Sequence, residues 1–306
     1  MRRKRVPFDP TKTSQDYTVA YASYTFDVNI SSIFYDGEPL NHTISVGGSR
    51  KGCVTVTVDA KSHSDDRMNG MLKPKIAKVP VLKRWPECAT NKEVISGDGS
   101  RAMIRAALMV ARDVFPYIER FVFTDASYVT CANGKDLSLP HYYLAVHGKT
   151  WYETFFHAEL QDPEIKAKYK KAKRALHRVS SKAPFAIAFK NFYVRDAKMF
   201  DDLKDIYDRA ETYTAFFTAL KKAFSQDEFC ETVQSWIEGF IDDVLEKNYF
   251  AEYWFIAAKR IKKDDWKVTV LQNPPVYRIQ GGGKSDGRRG SNRTNACVLG
   301  DFRDFV

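Results

Sequence analysis

A chain of 306 residues with 44% hydrophobic and 14% aromatic side chains is globular in composition and can bury a substantial core, as one large domain or as a domain with a helical extension. Its net charge of +10 points to an anionic partner such as nucleic acid, CoA phosphates or an acidic protein. No apolar run approaches the length of a membrane span, and the five cysteines (Cys53, Cys88, Cys131, Cys230, Cys297) are odd in number, widely spaced and without a CxxC pair, which argues against both a disulfide framework and a structural zinc site.

Residues 1–15 contain Pro7 and Pro10 and show no periodicity, so they read as an unstructured basic arm. Arg2, Arg3, Lys4 and Arg5 open it as a nuclear-import signal, as a phosphate-contacting arm or as a solvated terminus. No apolar signal core follows them. The pattern then turns to strands. Tyr17 to Val28 alternates bulky with small or polar side chains, and Cys53 to Asp59 alternates valine with threonine, as antiparallel strands with one buried face do. Asp36-Gly37 and Gly47-Gly48 supply turns, residues 61–75 a polar loop, and Lys75 to Leu82 a further strand.

Ser96-Gly97-Asp98-Gly99-Ser100-Arg101 is a Gly-rich turn running into a long apolar helix. Such a turn leaves backbone N–H groups without intrahelical acceptors at the positive end of the helix dipole, so Gly97, Asp98, Gly99, Ser100 and Arg101 form a candidate anion site. Met103, Ala107, Val110 and Val114 form one stripe and Ile104, Leu108, Ala111 and Phe115 the next, so this helix is expected to be covered on most sides. Pro116 ends it, and Phe121 to Asp125 reads as a short buried strand.

Between Leu137 and Leu160 lie His141, His147 and His157, whose spacing fits no standard metal pattern; no metal is expected. Trp151, Tyr152, Phe155 and Phe156 read as core and edge aromatics or as a ligand platform. Lys166, Lys170, Lys171, Lys173 and Arg174 fall in a helix-prone run that is either a phosphate-tracking helix or a solvated one. Phe185 to Tyr193 suggests a short aromatic strand or packing segment.

Residues 198–260 read as two or three amphipathic helices, with Ser225 and Glu228 as a capping box. The adjacent acids Asp201-Asp202 and Asp242-Asp243 read as surface charge. Trp266 to Leu271 is a last strand, residues 280–295 a Gly- and Arg-rich tail, and Gly300 to Val306 a docking peptide or a frayed end.

These elements define an α/β (α+β) fold: a mixed, largely antiparallel central sheet, a strand–Gly turn–helix–strand core and a C-terminal helical extension. The expected boundaries are 1–15 for the basic arm, 16–160 for the core, 161–272 for the helical extension with its returning strand, and 273–306 for a flexible tail.

Strand, Gly-x-Gly turn, helix, strand, and then Tyr152-Glu153 beside aromatics resembles the core of the GNAT acyl-CoA N-acetyltransferases. The resemblance implies acetyl-CoA as cofactor, with Gly97 to Arg101 cradling its pyrophosphate and Tyr152 protonating the CoA thiolate; His147 would then be a candidate base. The chain departs from the family's pattern at Val94, where Arg or Gln is usual, and at Phe155-Phe156, where Gly-Phe is usual. A second resemblance covers more of the chain: GDGSRAMIRAAL (97–108), FVFTDAS (121–127), LPHYYLAVHGKTWYETFFHAEL (139–160), TYTAFFTAL (212–220) and FCETVQSWI (229–237) are similar to a set of uncharacterised proteins of large DNA viruses. It implies a viral origin; with no membrane-length apolar run and no signal core, the expected location is soluble and intracellular, in the host cytoplasm or nucleus, the viral factory or the virion. The expected function is N-acetyl transfer from acetyl-CoA to an amine. The alternative is a non-enzymatic structural or nucleic-acid-binding protein that uses its basic surface and tails on nucleic acid or virion components.

Overall fold

The computed structural model describes residues 8–47, 52–59, 76–82, 88–94, 98–191, 197–261, 269–271 and 298–301. It has mixed α/β architecture with largely antiparallel strands, as the sequence pattern indicates. Two compact units are present, the first formed by residues 1–94, 99–119 and 262–296, the second by 95–98, 120–261 and 297–306.

The first unit is built on a sheet of β1 (Ser14–Tyr21), β2 (Tyr24–Tyr35), β3 (Glu38–Val46), β4 (Val54–Asp59) and β5 (Ile76–Leu82), with the late strand β11 (Thr269–Leu271) pairing to the outer side of β1. Every pairing is antiparallel. Alternation puts Val19, Phe26, Ile30, Ile44, Val46 and Val56 on the buried face, all essentially without solvent exposure. The run from Tyr17 to Val28 is two strands rather than one, reversing at Ala22-Ser23, with Ala22 in the left-handed region at φ 51°. Asp36 and Gly37, both at positive φ, turn β2 into β3 as expected.

Helix α1 (Asp98–Val114) spans the unit, and Met103, Ala106, Ala107, Val110 and Ala111 are all sealed from solvent. One end approaches Tyr24 of β2; at the other, Phe115 stacks on His42 of β3 with ring centroids 4.9 Å apart. Phe8 closes on the same pair at 5.5 and 5.2 Å, and the Asp9 N–H donates to Gln15 Oε1, so the expected arm is tied down from residue 8 onward. Arg2, Arg3, Lys4 and Arg5 lie outside the described residues, as do the polar loop 61–75 and the Gly- and Arg-rich stretch 280–295.

In the second unit, β10 (Tyr253–Ala257) lies between β6 (Arg120–Thr124) and β9 (Glu159–Leu160), antiparallel to both. A small sheet joins β7 (Tyr128–Thr130) to β8 (Asp136–Ser138) and, in parallel, to β12 (Val298–Asp301). Helices α2 (Leu139–His147), α3 (Trp151–Phe156) and α4 (Pro163–Lys173) precede α5 (Phe185–Ala188), α6 (Ala197–Arg209), α7 (Tyr213–Ala223), α8 (Gln226–Val233) and α9 (Ile237–Leu245). The aromatic segment after Pro184 is helical over Phe185–Ala188, and Phe192 and Tyr193 lie outside the described residues. Its Phe189 closes on Tyr207, Phe216, Trp236 and Phe240 in a cluster of interlocking rings, the kind of packing that edge-to-face aromatic contacts stabilise. Ser225 and Glu228 form the anticipated capping box on α8.

The cysteines overturn the expectation drawn from their number and spacing. Cys53 is bonded to Cys88 in the first unit and Cys131 to Cys230 in the second, with Cα separations of 6.0 and 5.7 Å, and all four are buried. Spacing along the chain carries no information about bridges that span 35 and 99 residues. Among the described residues no helix is long and apolar enough to cross a membrane.

Candidate functional site

The Gly turn is described from Asp98 onward; Gly97 lies outside the described residues. Gly99 is buried in the first turn of α1, and a Cβ added there would stand 2.9 Å from both Tyr24 Oη and Val94 Cγ1. That side of Gly99 faces the protein's own core, so packing by itself demands a residue without a side chain. Ser100 is wholly buried and its Oγ has no hydrogen-bond partner among the described residues. A buried, unpaired hydroxyl is costly, about 1–3 kcal/mol, so its presence at a helix N-terminus calls for an explanation. Arg101 is half-buried.

Tyr152 and His147 belong to the second unit. Tyr152 is 5% exposed and sits in an aromatic nest, its ring centroid 4.6 Å from Phe123, 5.1 Å from Trp151 and 6.1 Å from Phe156. His147 is exposed at the end of α2 with its ring 5.0 Å from Tyr143; partial desolvation, and then the nearby Lys221 ammonium, hold its pKa below the ordinary histidine value. It is therefore neutral at pH 7 and able to accept a proton.

Sequence reasoning missed a buried polar chain in this unit. His141, 3% exposed, is placed by the third position of α2 so that Nδ1 meets the Ser138 hydroxyl at 2.5 Å and Nε2 meets Asp242 Oδ1 of α9 at 3.1 Å. Asp242 is thus not free surface charge. Serine, imidazole and carboxylate in series resemble a nucleophile, its base and the group that orients the base. Here, however, Ser138 is the N-cap position of α2, 9% exposed, and its hydroxyl makes no cap to the backbone. The arrangement joins α2 to α9.

Asp125, at the carboxyl end of β6, lies beside this chain. It is 3% exposed, accepts the Ser127 hydroxyl at 2.6 Å, and burial pushes its pKa up to about 6 despite that bond and the nearby His141; Glu153 adds to the rise. Glu153 itself closes a capping box with Thr150, accepts the Tyr169 hydroxyl at 2.9 Å and holds Lys173 at 2.8 Å. Burial, then the Glu153 carboxylate, raises the Tyr169 pKa well above the ordinary tyrosine value, so its hydroxyl stays a donor. The signal for these residues is a strand ending in Asp125 followed by polar N-caps; their partners lie far along the chain.

Two of the basic-run residues are engaged: Lys166 pairs with Glu159 at 2.6 Å and Lys173 with Glu153. Lys170, Lys171 and Arg174 are exposed. Among the described residues no group of three or more His, Cys, Asp and Glu could hold a metal ion. No protein-family model, curated protein or solved structure matches the chain.

Proposed function

We propose that the chain is a GNAT-like N-acetyltransferase, which moves an acetyl group from acetyl-CoA to an amine. The observation that carries this reading is Ser100: a buried hydroxyl without a partner among the described residues, in the first turn of a 17-residue helix, where unpaired N–H groups and the helix dipole favour phosphate. Support comes also from the run β5, α1, β6 and then α3 bearing Tyr152-Glu153, which follows the chain order that the resemblance requires.

Acetyl-CoA would supply an activated acetyl thioester. Ser100 Oγ–H would donate to a phosphate oxygen, beside the main-chain N–H groups of Gly99 and Arg101. Gly99 contributes backbone rather than an open cradle, because its free side is occupied by Tyr24 and Val94. The resemblance gives His147, held neutral, the role of taking the proton from the attacking amine as the C–N bond forms, and Tyr152 that of donating its hydroxyl proton to the sulfur as the C–S bond breaks. The acceptor amine is any that leaves its proton within reach of an imidazole.

Calorimetric titration of the full chain with acetyl-CoA and with CoA tests the reading. Micromolar binding that Ser100→Ala weakens about tenfold, with turnover lost in Tyr152→Phe, is the expected result. No binding by the folded wild-type chain would leave the non-enzymatic viral role, on virion components or nucleic acid, as the function.

A further inference from the structure

The geometry points to the exposed side of α4 and the turn after it as a binding surface for the phosphodiester backbone of nucleic acid. Lys166, Tyr169 and Lys173, spaced by three and four residues, form the inward face of α4. Tyr169 is 3% exposed, and the two lysines are spent on Glu159 and Glu153. Lys168, Lys170, Lys171 and Arg174 project from the rest of the helix and its 3-10 continuation; all four are exposed, and none has an ion pair among the described residues. The acids of this element, Asp162 and Glu164, are confined to its N-terminal turn.

Stabilisation of the helix dipole explains only part of this. That effect fades within the last turn, whereas Lys168 stands a turn earlier. Protein interfaces are anchored by apolar and aromatic residues at their centre, and a membrane-surface helix inserts an apolar face. The basic side offers neither: Tyr169 and Leu176 are buried in the unit, and Ile165, half-buried, stands in the first turn beside Asp162 and Glu164. A partner that offers dense charge and asks for nothing apolar is a nucleic-acid backbone, with about one charge per 1.7 Å of duplex axis. Contacts of this kind read no bases, so binding is independent of sequence and falls steeply with salt.

The test is fluorescence anisotropy of the full chain with a duplex DNA and a duplex RNA of mixed sequence, from 50 to 200 mM salt, with polyglutamate as competitor. The variant Lys168→Gln/Lys170→Gln/Lys171→Gln/Arg174→Gln, its fold checked by circular dichroism, is expected to lower the slope of log K against log salt by about 3 to 4, so that about a hundredfold of the salt-dependent loss disappears. Lys166→Gln, which removes an engaged lysine, is expected to leave the slope unchanged. Equal slopes for wild type and the quadruple variant, no binding of either duplex at 50 mM salt, or displacement by polyglutamate at equal charge would each overturn the proposal. A preference for one duplex would identify which nucleic acid it serves.

Discussion

Glu153 receives the Lys173 ammonium on Oε1 at 2.8 Å while its Oε2 accepts both the Tyr169 hydroxyl and the Thr150 N–H. One carboxylate thus ties the start of α3 to the middle and end of α4. Its side chain and that of Lys173 are 15% and 19% exposed, so the pair sits where removing one partner strands the other. Glu153→Gln preserves the capping box in form but leaves Lys173 uncompensated. We expect a loss of about 2–3 kcal/mol, somewhat under the value for a fully enclosed pair. Lys173→Met in the Gln background is expected to recover part of it, and urea unfolding of the four species of the double-mutant cycle measures the coupling.

Asp125 makes stability depend on pH in the direction opposite to that of a salt-bridged acid. Its pKa is about 6 in the folded chain against 3.8 for the free side chain, so the folded state holds a proton that the unfolded state has lost between those values. Above pH 6 the buried charge costs about 3 kcal/mol, and that penalty is relieved progressively as pH falls from 6 toward 4. Asp125→Asn keeps an acceptor for the Ser127 hydroxyl and removes the charge. The variant should be the more stable at pH 8 and equal to wild type near pH 4; a wild-type advantage at pH 8 in thermal melts would contradict the account.

Local features were readable from the chain and distant ones were not, for a physical reason. Ser225 and Glu228 meet across two intervening residues, and Asp36-Gly37 reverses a hairpin by its own backbone preference, so both are visible in a short window. Ala22 has no turn chemistry to announce it, and alternation continues on either side, so two strands look like one. His141 and Asp242 are 101 residues apart, and the bridged cysteines are separated by 35 and 99. Only the fold brings them together. For Gly99 the residue type was legible as special, while its packing role became evident from Tyr24 and Val94 alone.

Each unit carries its own disulfide, which gives oxidation state a direct reading in stability. Closing loops of 35 and 99 residues in the unfolded chain is worth about 4 and about 5 kcal/mol in the loop-entropy picture. Full reduction under denaturing conditions is therefore expected to lower the melting temperature on refolding in reductant. Cys131→Ser/Cys230→Ser is expected to cost more than Cys53→Ser/Cys88→Ser. Intact mass before and after reduction should differ by two hydrogens per bridge; no difference would show that the thiols remain free.

Adjacent residues at the start of α1 should respond oppositely to the same replacement. Gly99→Ala puts a Cβ 2.9 Å from Tyr24 Oη and Val94 Cγ1, so β2 or the helix must shift, at about 1–3 kcal/mol. Ser100→Ala instead removes a buried hydroxyl that has no partner, and stability should hold or rise by about 1 kcal/mol. If that hydroxyl is kept for a phosphate, Ser100→Ala also loses acetyl-CoA affinity, so stability and binding move in opposite directions. Melting curves with and without acetyl-CoA measure both at once: the variant should melt at or above wild type without it and gain less from it. A Ser100→Ala chain that melts lower and binds as well as wild type would assign the hydroxyl to the fold.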